Sequence, residues 1–83
     1  MEEYLGDIKL FAGTYSPQYY MYCDGQTLSI QQYTALFSIL GTQYGGDGRV
    51  TFCLPNLNKT PIAAGTSLKY IICTQGLYPA RPD

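Results

Sequence analysis

One stretch of this chain, Ser29 to Leu40, carries a clear helical period, and the other apolar residues fall in short segments punctuated by glycine and proline. Ser29 stands where an N-cap belongs, with Gln32 as its capping-box partner, and Gly41 follows the last apolar residue as a stop. Tyr33, Leu36, Phe37 and Leu40 fall at i, i+3, i+4 and i+7, one apolar face of a single helix. With one helix at about residues 30–40, the remainder must be strands and loops. The alternating Asp7-Ile8-Lys9-Leu10-Phe11 predicts a half-buried strand ending at Ala12-Gly13. Tyr19-Tyr20-Met21-Tyr22-Cys23 is rich in strand formers and closes on the turn pair Asp24-Gly25. Thr51-Phe52-Cys53-Leu54 pairs briefly before Pro55 stops it, and Tyr70-Ile71-Ile72-Cys73 is a continuous apolar strand. Gly41 to Arg49, with four glycines, predicts irregular backbone. The expected fold is α+β: a small domain spanning residues 1–83, made of short antiparallel strands around one central helix, with long irregular loops.

At 83 residues the chain makes one small domain, and folding buries only about 60–65% of its unfolded surface, which leaves a lone core marginal. A 46% hydrophobic content excludes a disordered polar tail. Charged residues make up 13%, roughly half the usual 25% or so, so part of the surface is expected to be covered by another chain. The five Lys and Arg, against six Asp and Glu, are scattered, which argues against nucleic-acid binding, where affinity comes from clustered cations. No apolar run approaches the ~18 residues that span a bilayer, so membrane insertion is not expected. The acidic start, Met1-Glu2-Glu3-Tyr4, lacks the basic and apolar regions of a secretory signal, so synthesis in the cytoplasm without an export signal is the expectation.

Cys23, Cys53 and Cys73 are far apart, and the chain has no histidine, so neither a zinc site nor a thiolate activated by an imidazole can be assembled. Buried free thiols are expected, with one disulfide and one leftover thiol as the alternative. No cofactor or metal is expected. Calcium at Asp24 and Asp47 is the weaker reading, because Ca²⁺ takes six to eight oxygens. Carboxylates are too few and too often terminal for glycoside hydrolysis, and the chain does not read as an enzyme.

Longer motifs carry more. Phe11-Ala12-Gly13, Pro17, Cys23-Asp24-Gly25-Gln26, Leu28, the run Thr34 to Thr42, Tyr44-Gly45-Gly46-Asp47-Gly48 and Thr51-Phe52-Cys53-Leu54-Pro55 stand in order and at spacings that resemble the phage tail collar domain family. The end, Tyr70 to Pro79, is similar to that of the microcystin-dependent proteins, which carry the collar domain. Those relatives place a long variable segment between the two blocks, whereas here only Pro61 to Lys69 joins them, so this chain resembles a compact version. The resemblance implies a structural component of a phage tail or a related contractile injection particle, of the tail collar or tail-fibre type. It further implies a trimer located in the virion tail and in contact with other tail proteins.

Two groups of residues stand out as candidate sites. In the first, Asp24, Gly25, Gly45, Gly46, Asp47, Gly48 and Arg49 read as a structural loop: the glycines permit positive φ, Asp47 caps backbone N–H groups, and Arg49 pairs with a carboxylate such as Asp24. A phosphate loop is disfavoured, since the Gly-Lys-Ser/Thr ending is missing. In the second, Tyr15, Tyr19, Tyr20 and Tyr22 form either a packing or protomer interface, or a platform for a carbohydrate receptor. The alternative function is accordingly a small adhesin or glycan-binding module using this tyrosine cluster.

Overall fold

In a computed structural model, which describes residues 3–59 and 68–79, the chain forms five short antiparallel strands and one helix. Of the segment joining the two sequence blocks, Pro61 to Lys69, residues 61–67 lie outside the described residues. The strands are β1 (Ile8–Phe11), β2 (Tyr20–Tyr22), β3 (Thr27–Ser29), β4 (Thr51–Cys53) and β5 (Lys69–Cys73), and the helix α1 covers Thr34–Leu40. The first sheet has the order β1-β5-β2, and β3 pairs with β4 in a separate ribbon. The α+β class and the single central helix are as the sequence indicates.

β5 is central because Ile71 and Ile72 are both apolar and β-branched, so each can be buried on its own side of the sheet. Both are fully buried. On one side, Ile72 joins Cys23, Leu36, Leu40, Phe52 and Leu54 in the main core, with Met21, Tyr33, Phe37 and Tyr70 packed around it. On the other, Ile71 and Cys73 pack with Tyr20, Phe11 and Tyr22. Phe52 is the hub of the larger cluster, with its ring edge-on to Phe37 at 5.5 Å between centroids.

The helix starts later than the sequence suggests. Ser29 is not its N-cap but the last residue of β3, paired with Thr51. Ile30 N–H then donates to Val50 O at 2.9 Å, and Tyr33 N–H closes a turn onto Ser29 O at 3.1 Å. Strand pairing fixes Ser29 in extended backbone, so the first helical residue becomes Thr34, whose Oγ1 donates to Ile30 O at 2.9 Å. The helix end is as expected: Gly41 has φ 58° and its N–H donates to Phe37 O at 2.7 Å.

β1 also departs from the expected burial. Ile8 and Leu10 are 40% and 48% exposed, although they share a sheet face with their partners Ile72 and Tyr70. β1 is an edge strand, and the main core covers this face over β5 and β2 without extending across β1.

All three cysteines are free thiols. Cys23 and Cys73 are buried, but Cys53 is only half-buried, against expectation, because β4 runs close to the surface and its Sγ meets Thr27 Oγ1 at 3.5 Å. Burial pushes the Cys23 thiol up to about 11, with Asp24 adding to the effect, and burial also raises Cys73. Thiol labelling of the native protein should therefore modify Cys53 first and reach Cys23 and Cys73 only on unfolding. Equal native rates at all three, read by peptide mass spectrometry, would contradict this packing.

Candidate functional site

The ribbon β3–β4 separates the two halves of the first group. Thr27 lies opposite Cys53 and Ser29 opposite Thr51. The Asp24 turn therefore sits at one end, where Gly25 N–H donates to Pro55 O, and the Asp47 turn sits at the other, where Val50 O accepts from Ile30. Arg49 and Asp24 are thus kept apart by the length of the ribbon. Among the described residues the one ion pair is Lys9 with Glu3, so the expected Arg49–Asp24 pair is replaced by a contact through Arg49's backbone.

Around Asp47 the backbone makes a tight clasp. Its Oδ1 accepts from the N–H groups of Arg49, Val50 and Thr51 at 2.8, 2.9 and 3.0 Å. In return, Asp47 N–H donates to Thr51 Oγ1 at 3.2 Å. The glycines let this turn fold back along the free edge of β4: Cys53 N–H donates to Gly45 O, and Gly48 N–H to Thr51 O. At Gly46, φ is 95° and a Cβ would stand 2.4 Å from Phe52 Cα, so only glycine lets the two backbones approach this closely.

These hydrogen bonds, from Val50 first and then Thr51 and Arg49, hold the Asp47 carboxyl at about 2, below its ordinary 3.8. A group depressed in the folded state contributes stability above its unfolded value and loses it as pH falls through the folded one. Stability should thus decline between pH ~4 and ~2 as the unfolded chain takes up this proton first. Asp47→Asn should flatten that part of the profile and lower the melting temperature at neutral pH. Denaturation series at several pH values, wild type against variant, check this, and identical profiles would remove Asp47 from the account.

The Asp24 turn is held by residues that sequence reading missed. Gln26 Nε2 donates to Tyr22 O at 2.9 Å while its Oε1 accepts from Asp24 N–H at 3.1 Å. Asn58 Nδ2 donates to Asp24 Oδ1 at 3.0 Å and to Tyr70 O at 3.1 Å, and Tyr70 N–H donates to Asn58 Oδ1 at 2.8 Å. Asn58 thereby imitates a strand residue and ties the Asp24 turn to β5. The amide two residues beyond Asp24 is a local signal for the Gln26 contact, whereas the Asn58 contact has none. Among the described residues no cluster of three or more His, Cys, Asp or Glu side chains comes together to hold a metal ion.

The four tyrosines divide into two pairs. Tyr20 and Tyr22 share one face of β2, where Lys9 Nζ sits 4.7 Å from the Tyr20 ring and Lys69 Nζ 5.7 Å from the Tyr22 ring. Tyr20 is buried and its hydroxyl donates to Glu3 Oε2 at 2.6 Å, which lowers the Glu3 carboxyl, while burial first and this bond second raise the phenol. Tyr15 is 71% exposed and edge-on to Phe11. Tyr19 is 53% exposed and precedes the strand at φ 70°. The structure therefore does not gather all four into one exposed platform.

The glycine-rich clasp lies along β4, and the β3–β4 ribbon meets the helix through Phe52 and Phe37. The Phage Tail Collar Domain matches residues 6–62, which takes in β1 to β4, the helix and both glycine turns. The chain belongs to the phage tail collar domain family, a family of tail structure. A search of curated proteins found no match.

Proposed function

We propose that this protein is a non-enzymatic structural component of a phage tail or tail-like particle, of the tail collar or tail-fibre type, assembling as a symmetric homo-oligomer. The observation that carries the proposal is the family match over residues 6–62. Oligomerisation draws support from the low charge content, and from Ile8 and Leu10 half-exposed on β1, an edge strand of the sheet among the described residues. A trimer is the closed assembly that the sequence resemblance implies, and its partners are other tail proteins in the virion tail.

In this reading the loop residues are structural. Asp47 and Asp24 satisfy backbone and amide donors, Gly25, Gly45, Gly46 and Gly48 supply turns and close approaches, and Arg49 contributes its backbone N–H. A glycan platform of four tyrosines is the weaker reading, since Tyr20 and Tyr22 are engaged by Glu3 and two lysines.

The test is fractionation of tail particles from cells making the protein, followed by mass spectrometry. The chain should sediment with intact tails and remain after a salt wash. Recovery only in the soluble fraction would contradict the proposal.

A further inference from the structure

We infer that Arg49 of one copy of this chain pairs with Asp24 of the next, so that opposite ends of the β3–β4 ribbon form the contact between copies. This rests on the self-assembly proposed above and names a surface for it. Within one chain the two side chains are kept apart, because the ribbon holds the Asp24 turn at one end and the Asp47 clasp at the other. Both residues are exposed.

Charge is scarce on this surface, and most of it is engaged within the chain. Lys9 sits against Glu3 and the Tyr20 ring, and Lys69 lies over the Tyr22 ring. Asp47 turns its Oδ1 to three backbone N–H groups. Arg49, by contrast, gives the clasp only its backbone N–H, and among the described residues its guanidinium has no hydrogen-bond, ionic or ring partner. Asp24 Oδ1 accepts from Asn58 Nδ2 at 3.0 Å, which orients the carboxylate without neutralising it and leaves lone pairs for a guanidinium. Asp7 is also exposed, but among the described residues no hydrogen bond fixes its carboxylate.

Both ends are fixed in advance. The clasp holds the N–H groups of Arg49 and Val50 at 2.8 and 2.9 Å from Asp47 Oδ1. At the other end Gly25 N–H donates to Pro55 O and Leu57 N–H to Cys23 O. Groups ordered before they meet lose less freedom on association. Each charge also stands by an exposed aliphatic side chain. Val50, next to Arg49, is 65% exposed, and Leu57, next to the bridge between Asp24 and Asn56, is 43% exposed. One end thus offers a cation with an apolar neighbour, and the other an anion with an apolar neighbour. A guanidinium matches a carboxylate with two parallel hydrogen bonds, and arginine is enriched where proteins meet. Because every copy carries one of each end, a closed ring gives each Arg49 an Asp24, the arrangement that the proposed trimer needs.

The test is a dilution series at low salt, with solution mass giving the dissociation constant of each variant. Arg49→Gln keeps the backbone N–H of the clasp, and Asp24→Asn keeps a side-chain oxygen for Asn58, so both should retain the native near-ultraviolet dichroism. Each should weaken self-association about tenfold, and the double variant also about tenfold rather than the roughly hundredfold of independent sites. Lys59→Gln and Asp7→Asn, which remove charges outside the pair, should leave association unchanged. An oligomer indifferent to either variant, additive losses in the double variant, equal damage from Lys59→Gln or Asp7→Asn, or a variant that unfolds would each overturn the inference and leave the self-assembly standing. A wild type of single-chain mass at every concentration would overturn both.

Discussion

Phe52→Ala should cost about 3–5 kcal/mol, the usual penalty for removing a buried phenylalanine without refilling its space. Phe52 is fully buried, touches the helix through Phe37, and belongs to the cluster that joins α1 to β5 through Leu36, Leu40 and Ile72. Single domains of this size have total stabilities of roughly 5–15 kcal/mol, and an 83-residue chain falls towards the lower end. The variant should therefore be largely unfolded or molten at 37 °C, seen as lost near-ultraviolet dichroism and a broad melt. A cooperative melt within a few degrees of wild type would mean that the core is not organised around this ring.

Gly46→Ala is the second substitution expected to be severe, and its cause is backbone rather than core volume. A Cβ at this position would lie 2.4 Å from Phe52 Cα, 2.7 Å from Thr51 O and 2.8 Å from Phe52 N. No side-chain rotation relieves contacts with main-chain atoms, so the clasp must lift off β4, losing the hydrogen bonds from Cys53 to Gly45 and from Gly48 to Thr51. Left-handed backbone alone costs a non-glycine residue about 1–2 kcal/mol, and the displacement adds to it. Gly41→Ala carries the cost of a positive φ without crowding, because φ there is 58° and nothing lies within 4 Å of the added carbon. Urea titrations should rank Gly46→Ala well below Gly41→Ala in stability. Equal midpoints would show that the clasp is not held against β4.

What the sequence made legible follows the range of each interaction. The apolar face of α1 repeats within one helix, and β5 carries the unbroken apolar run Tyr70 to Cys73, so both could be read locally. Leu36 and Leu40 are indeed buried, with Tyr33 and Phe37 packed beside them. Ser29 misled because a serine before an apolar run suits both an N-cap and a strand end, and only its partner Thr51, far along the chain, decides between them. β3 has three residues, too few for alternation to register.

The exposure of Ile8 and Leu10 was hidden for a related reason. Alternation predicts which residues share a face, but not whether the core extends to cover an edge strand. In the loop, the glycines marked irregular backbone, yet their partner, the free edge of β4, could not be read from them. Glu3 meeting Tyr20, and Asn58 meeting Tyr70, are likewise contacts across the fold with no local signature.

The proposed self-assembly draws on the family assignment and the low charge content. Light scattering coupled to size exclusion, across micromolar concentrations, tests that most directly. A mass of about three chains, unchanged on dilution, is the predicted result. A single-chain mass of 9.2 kDa throughout that range would contradict it.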